Sequence, residues 1–324
     1  MAEANRKMRE IGGYIELEHH DGSLFHEKAL RLNCGRNALA YLCRARNIQK
    51  VWIPHFLCDC VDQLLDKIGV EWACYRIGRD WLPDPSLIVE KGDWFYVVNY
   101  YGQVSNASIH ALKQQYPRLI VDNCHDYFRA PVAGVDTLYT CRKFFGVPDG
   151  AFLYTDAPAV DGLERDVSYD RMRYLLGRME RPASEFYAEY VKSNADFAKE
   201  PVKRMSRLTE NLLRSIDYAR VQRIRSANWH RLSERLGKLN ELLLTETVGP
   251  FAYPLLVSHG RLLRKKLIEQ KIYVPTLWPA VLERCGEVTW EHRLASDLLP
   301  LPVDQRYGID DMNFICDAVL SGLL

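Results

Sequence analysis

Two short segments of this 324-residue chain hold residues whose types and spacing could do chemistry. In the first, Asp122 ends the apolar run Leu119-Ile120-Val121, and His125 follows three positions on. In the second, Lys143 opens an apolar stretch, Phe144-Phe145-Gly146-Val147, that closes on Pro148-Asp149-Gly150. A lysine amine can form a Schiff base with an aldehyde. A carboxylate can keep a pyridine nitrogen protonated, so that the ring acts as an electron sink. Pyridoxal 5'-phosphate (PLP) chemistry needs this pair. Each residue alone has a plainer reading. An acid after a strand caps a helix or sits in a solvated turn, a lysine lies on the surface, and a histidine is simply hydrogen-bonded. The apolar sequel to Lys143 argues against a fully solvated side chain, and a desolvated lysine is expected to have a lowered pKa and to be a usable nucleophile. A buried Asp122 needs a cationic partner, which a protonated ring nitrogen would supply. His125, one turn of backbone further, could touch the same ring or its phenolic oxygen.

Other residues fit around this pair. Gly35-Arg36-Asn37 opens a predicted helix, whose free N–H groups and positive dipole end suit a phosphate, with glycine allowing close approach; a plain helix cap is the alternative. Thr140 could add a hydroxyl to the phosphate, or be an ordinary β-branched strand residue. Tyr101, in Tyr100-Tyr101-Gly102, follows a predicted strand and is read either as lining the site or as turn packing. Trp278 and Tyr307 are read as substrate-facing.

The elements that must position these residues alternate between strand and helix. Helical spacing runs over Gly35 to Asn47, from Cys58 to Ile68, and over Ala107 to Tyr116. Strands are expected at Val51-Trp52-Ile53, Val70 to Tyr75, Trp94 to Val98, Leu119 to Val121, Val135 to Tyr139 and Ala151 to Tyr154. Continuous apolar runs of this kind are buried on both faces, and the alternation predicts an α/β fold with a mostly parallel sheet between helices. Ligands of such sheets bind at the carboxyl ends of the strands, which is where Asp122 and His125 fall. Long helices are expected from Ser168 to Leu239. A small α+β domain follows, with strands at 251–257 and 272–275, a helix at 262–270 and a terminal helix at 310–323. The division is a large domain over residues 1–240 and a small one over 241–324.

Composition sets the outer limits. With 48% hydrophobic residues the chain can bury a large core. Lys+Arg 43 against Asp+Glu 42 gives no basic excess for nucleic acid or an anionic membrane surface. No run approaches the roughly 18–20 apolar residues of a membrane span. No apolar run follows the charged start, so no signal peptide is expected. The nine cysteines include no CxxC pair, so no metal site is expected, and reduced thiols in a cytoplasmic protein are the preferred reading. No GxGxxG follows a predicted strand, which counts against a dinucleotide-binding enzyme.

Taken in order, these segments resemble the DegT/DnrJ/EryC1/StrS family of PLP-dependent sugar aminotransferases, over roughly residues 30 to 320. The resemblance rests on Asn33-Cys34-Gly35-Arg36-Asn37-Ala38-Leu39, Val51-Trp52-Ile53-Pro54, Val98-Asn99-Tyr100-Tyr101-Gly102, Val121-Asp122-Asn123-Cys124-His125 and Arg142-Lys143 with Pro148-Asp149-Gly150. It continues in Leu301-Pro302-Val303 and Tyr307-Gly308-Ile309-Asp310-Asp311-Met312. It implies the PLP-dependent transferase type I fold, Lys143 as the Schiff-base lysine and Asp122 as the partner of the pyridine nitrogen. It also implies a homodimer with each active site at the interface. Arg225-Ser226-Ala227-Asn228 resembles the segment whose asparagine reaches the partner's cofactor phosphate, which marks Asn228. Phe56 is the candidate for the ring that stacks on the cofactor, although a strict count lands near Cys58. Further departures are Ala151 in place of a second glycine and Arg36 in place of a small hydroxyl residue. Retention of the lysine counts against the family's dehydratase branch.

The implied activity is transfer of an amino group, from glutamate, to a keto sugar carried on a nucleotide, in polysaccharide, glycoprotein or antibiotic-sugar synthesis. Lys143 would serve as both base and acid for the migrating proton. Two alternatives stay open: a PLP enzyme with another acceptor, and a non-catalytic relative that binds a ligand or partner.

Overall fold

The computed structural model describes residues 11–323. A seven-stranded sheet forms its centre. Its strands are β1 (Leu30–Leu32), β2 (Lys50–Pro54), β3 (Glu71–Tyr75), β4 (Trp94–Val98), β5 (Leu119–Asp122), β6 (Asp136–Thr140) and β7 (Ala151–Tyr154), in the order β1-β7-β6-β5-β4-β2-β3. The pairs β2–β3, β2–β4, β4–β5 and β5–β6 are parallel, and β7 runs antiparallel to both its neighbours. Every residue of β4 and β5 is buried, as their unbroken apolar runs require.

Helices α1 (Gly35–Ala45), α2 (Asp59–Ile68) and α3 (Asn106–Gln115) are the crossovers between parallel strands. Gly69 stops α2 in a left-handed C-cap, φ 70°, and Ser105 caps α3 by accepting from the Ser108 amide. The central core contains an aromatic column in which Phe95 stacks between Tyr75 at 4.6 Å and Tyr116 at 4.1 Å. Truncating a side chain buried in this way costs about 3–5 kcal/mol.

The strand ends are in register. Asp122 lies opposite Val98 and Leu138; Thr140 lies opposite Ala151, and Ala151 opposite Leu32. The segments after β1, β2, β4, β5 and β6, and the one before β7, therefore open at one edge of the sheet. Gly35, Phe56, Tyr101, His125, Lys143 and Gly150 all lie on these segments. At Gly150 the backbone sits at φ +116°, and a Cβ there would meet Thr209 Cγ2 at 3.0 Å and Cys141 Sγ at 3.1 Å. Only glycine fits this close left-handed approach. Its amide donates to Asn33 O at 2.6 Å, which ties the lysine loop to the start of α1.

The middle of the chain is more broken than its composition suggests. Four helices replace the expected long ones: α4 (Arg173–Glu180), α5 (Tyr187–Asp196), α6 (Arg207–Arg214) and α7 (Tyr218–Leu236). Pro182 and Pro201 interrupt the pattern, and Ser206 and Asp217 begin new helices by accepting from the Thr209 and Arg220 amides. Only α7 is long.

A second core lies beyond. The antiparallel pair β8 (Ala252–Leu256) and β9 (Leu298–Pro302) packs with α8 (Gly260–Glu269) and α11 (Ile309–Leu323), and Trp229, Leu232 and Leu236 of α7 join them. Both units share α7, since its Val221 packs in an aromatic cluster with Tyr127, Phe144 and Phe145. Residues 272–275 form no strand. Lys271 turns the chain at φ 61°, and Ile272 and Val274 enter the second core as irregular backbone. Two short helices, α9 (Val281–Arg284) and α10 (Trp290–Asp297), precede β9. All nine cysteines are free, and among the described residues no helix is long and apolar enough to cross a membrane.

Candidate active site

Asp122 is buried at the end of β5. Its Oδ2 accepts from the Tyr96 hydroxyl at 2.5 Å and its Oδ1 from the Cys124 amide at 2.8 Å. Burial raises its pKa, against the opposing pull of Tyr96, Lys143 and the Cys124 amide. Among the described residues no cation lies within ion-pair distance of it, and each oxygen keeps an unused lone pair. The site's acid is fixed in place and able to accept one further donor.

Lys143 projects from the turn after β6. The Phe144 and Phe145 amides both donate to Cys141 O at 2.9 Å and hold this turn. Lys143 Nζ donates to Cys124 Sγ at 3.4 Å and lies 5.6 Å from the centre of the Phe251 ring. Burial pulls its pKa down, but Cys124, Asp122 and Cys58 more than reverse the pull, and the net direction is upward. The expectation of a lowered lysine pKa is thus overturned: its neighbours favour the ammonium more than burial opposes it.

His125 is fully buried, and neither ring nitrogen has a hydrogen-bond partner. The ring stacks parallel on Phe251 at 4.4 Å and on Trp278 at 5.6 Å, with Tyr101 at 5.1 Å. Burial first, and the Lys143 charge second, hold its pKa far below the ordinary value, so it is neutral. The Tyr101 hydroxyl is also buried without a partner. Tyr101 and Trp278 both sit in left-handed backbone, at φ 52° and 57°. For a side chain with a Cβ this costs about 1–3 kcal/mol and marks over-determined, often functional, positions. Asn99 fixes the Tyr101 turn: its carboxamide donates to Asn123 Oδ1 at 3.0 Å and Asp126 Oδ2 at 3.1 Å and accepts from the Val104 amide at 2.9 Å.

These groups fit PLP. An orphaned buried polar atom costs about 1–3 kcal/mol. Three of them, His125 Nδ1, His125 Nε2 and Tyr101 Oη, belong to the aromatic group that reaches Lys143 through Phe251. At the start of α1 a Cβ on Gly35 would meet nothing within 4 Å, so the helix end is open there. Arg36 Nη2 donates to Asn194 O at 3.0 Å. The Asn37 side chain is spent on Asn33 Oδ1 at 3.0 Å and Pro201 O at 2.8 Å, so only its backbone N–H faces the helix end. Thr140 is half-buried beside this end of the sheet.

Other expected site residues lie elsewhere. Phe56 packs edge-on against Trp278 at 4.7 Å and against Tyr100 at 5.4 Å. It backs the aromatic wall; the ring between Lys143 and His125 is Phe251. Asn228 is buried, and its amide donates to Val303 O, Asp304 O and Tyr307 O, so no donor remains for a partner's phosphate. The Tyr307 side chain packs at the edge of the second core, under Arg306. Sequence reasoning also missed Arg225. This buried arginine binds Phe144 O, Pro250 O, Phe251 O and Gln305 Oε1, and so clamps the lysine loop to the Phe251 segment. Arg225 opens the segment by which Asn228 was marked, but no role was drawn for it, and nothing near Phe251 in sequence signals its place.

No protein-family model and no curated protein sequence matches the chain. Solved structures do match. An aminotransferase of the DegT/DnrJ/EryC1/StrS family from Brucella abortus superposes with TM-score 0.60 at 13% identity, covering 90% of this chain and 85% of its own. The chain has the PLP-dependent transferase type I fold. NtdA from Bacillus subtilis, solved with bound PMP, matches at TM-score 0.65 and 13% identity, over 91% of this chain and 73% of its own. DesI, solved in the presence of its TDP-sugar product, matches at 0.60 and 14%, over 91% and 80%. At these identities the likeness is one of fold.

Proposed function

We propose that the chain is a PLP-dependent aminotransferase that passes an amino group, from glutamate, to a keto sugar carried on a nucleotide. The observation that supports it most is the grouping of Lys143, Asp122 and the unpartnered His125 at the carboxyl edge of a sheet of this fold. The PMP bound to NtdA and the TDP-sugar product present with DesI point to the same cofactor and substrate class.

When bound, PLP supplies an aldehyde and an electron-withdrawing ring. Asp122, held by Tyr96 and Cys124, would accept the ring N–H. Lys143 would hold the aldehyde through its amine, and the free amine would serve as the base and acid that moves a proton. Its free form is an ammonium that donates to Cys124 Sγ, so it must shed a proton before it can act as a nucleophile. His125, kept neutral, offers one donor and one acceptor. Phe56, Tyr100, Tyr101, Phe251 and Trp278 keep water out.

The homodimer belongs to the same proposal. Leu176, Met179, Tyr187 and Tyr190 expose an apolar face on α4 and α5, of the kind that a second subunit covers. A cytoplasmic location is proposed on the nine free thiols. The test is to add PLP, reduce with borohydride and map the label. A label on Lys143, lost together with turnover in Lys143→Ala, supports the reading. Normal transamination by that variant sinks it.

A further inference from the structure

Two cysteines meet at the start of α2, on the side of the sheet where Lys143 lies. Cys58 immediately precedes the helix, in extended backbone at φ −65° and ψ 132°, and Cys60 is in its first turn. A side chain placed like that of Cys58 turns back over the first free N–H groups and meets the positive end of the helix dipole. No side-chain cap occupies that end of α2. Cys58, Cys60 and Cys74 are half-buried, and the other six thiols are buried. Cys58 alone among the nine is acidified. The hydrogen bond from the Cys60 thiol lowers its pKa first, and the Cys60 amide and the Lys143 charge lower it further, against burial and the charge of Asp59, whose Oδ1 lies 3.6 Å from its sulfur. Donation to Cys58 raises Cys60, and burial raises the other seven, Cys74 to about 11. A half-exposed thiol that favours its thiolate, with a second thiol beside it, is the arrangement that reacts with oxidants.

We propose that Cys58 and Cys60 are a hydroperoxide-reactive pair, in which Cys58 is the attacking sulfur and Cys60 closes a disulfide onto it. The Cys58 thiolate attacks one peroxide oxygen. An S–O bond forms, the O–O bond breaks, and the leaving hydroxide takes up a proton as water. The Cys60 sulfur then attacks the Cys58 sulfur. An S–S bond forms, the S–O bond breaks, and the Cys60 proton departs with the hydroxyl as a second water. The two sulfurs give up two electrons, and the peroxide takes them. The spacing permits the bond, since Cα atoms two positions apart at a helix start are about 5–6 Å apart, within the roughly 4.4–6.8 Å that a disulfide spans. Because the pair is accessible and short, a small thiol reductant returns it to the free form, as a sensing disulfide requires. The chemistry needs no cofactor on Lys143 and stands apart from the aminotransferase reading.

The test uses the full chain, reduced and then freed of reductant. At neutral pH iodoacetamide should alkylate Cys58 at least about tenfold faster than any other thiol. In a separate sample, hydrogen peroxide is added in equal amount to the chain, the remaining thiols are alkylated, and the tryptic peptides are weighed. Cys58 and Cys60 share the peptide 51–67. That peptide should appear unalkylated and lighter by two hydrogens, and dithiothreitol should restore its alkylation. In Cys60→Ser the oxidation should stop at a Cys58 sulfenic acid that dimedone traps. In Cys58→Ser the Cys60 thiol should survive the same dose. Circular dichroism checks both variants, and if either fails to fold, the wild-type peptide map decides. Alkylation of Cys58 no faster than that of the others overturns the proposal. So does first oxidation at any other thiol, or a Cys58 that passes to sulfinic acid while Cys60 stays free.

Discussion

Replacing Arg225 with Met removes the clamp between the Lys143 loop and Phe251. The guanidinium makes hydrogen bonds to Gln305 Oε1 at 2.8 Å, Pro250 O at 2.9 Å, Phe144 O at 3.2 Å and Phe251 O at 3.4 Å, and it lies 4.7 Å from the Phe144 ring centre. Hydrogen bonds to a charged donor contribute about 1.5–3 kcal/mol each, so at the low end these four amount to about 6 kcal/mol. Burial works against the charge and brings the Arg225 pKa from 12.5 down to about 10. That depression offsets about 3 kcal/mol. The remaining stabilisation is about 3 kcal/mol, a large part of the roughly 5–15 kcal/mol that holds a domain. Met fills most of the volume without the charge, so urea unfolding of Arg225→Met should give a loss of about 3 kcal/mol. Arg225→Lys, with a charge but no planar fork, should lose less. In both variants, under conditions where they remain folded by circular dichroism, borohydride-fixed labelling of Lys143 by PLP should slow, because Phe144 O and Phe251 O are no longer held together. A loss under about 1 kcal/mol with unchanged labelling would refute the clamp.

Three further outcomes are expected. His26 is buried, hydrogen-bonded to Tyr127 O at 2.7 Å, and burial lowers its pKa from 6.5 to about 4. Because the unfolded chain takes up the proton first as pH falls, stability is full above about 6.5 and declines by about 3 kcal/mol as pH drops through 4; unfolding midpoints across that range should show a steeper slope in wild type than in His26→Gln. Gly150→Ala should cost about 1–3 kcal/mol, because φ +116° and Thr209 leave no place for a methyl group, and an unchanged urea midpoint would contradict that. Asp122→Asn should fold normally and lower turnover by roughly a hundredfold or more by removing the charge opposite the ring nitrogen; kinetics beside a thermal melt would separate this from a folding defect.

The sheet and the two chemical residues are legible in the sequence because their signals are local. A strand buried on both faces is a short apolar run, and a parallel sheet puts the residue after each run at one edge, so Asp122 and the Lys143 loop can be placed without a template. The remainder of the site depends on pairings across long separations. Phe251 reaches Lys143 from a segment more than a hundred positions away, and within its own run it reads as one more strand residue. Arg225 carries no role in the sequence beyond opening the segment that marks Asn228, and its contacts come from about 80 positions to either side and from the 250–251 backbone. The contacts of Asn228 are hidden for the same reason. Helical spacing does not say which face of α7 is inward, and Asn228 turns out to tie down the backbone at 303–307. At 272–275 an apolar run enters the second core without a partner strand, a distinction that composition does not carry.

The directions of the pKa shifts in the site have a common sense. Burial raises Asp122 and Cys124, the hydrogen bond to Cys58 and then burial raise Cys60, and Lys143 is raised by its neighbours in spite of burial. Four of these groups therefore hold their protons more firmly than in water. Cys58, acidified first by its hydrogen bond from Cys60, and His125 shift the other way. The thiols of Cys60 and Cys124 and the Lys143 ammonium thus keep the protonation states they have in water near neutral pH. Arg36 and Arg142 add two cations with no carboxylate beside them. Asp122, with spare acceptor capacity, suits a cationic N–H, and the two arginines suit negative charge. A phosphorylated pyridine aldehyde has that polarity along its length, and a simple keto acid, with one carboxylate and no ring nitrogen, does not.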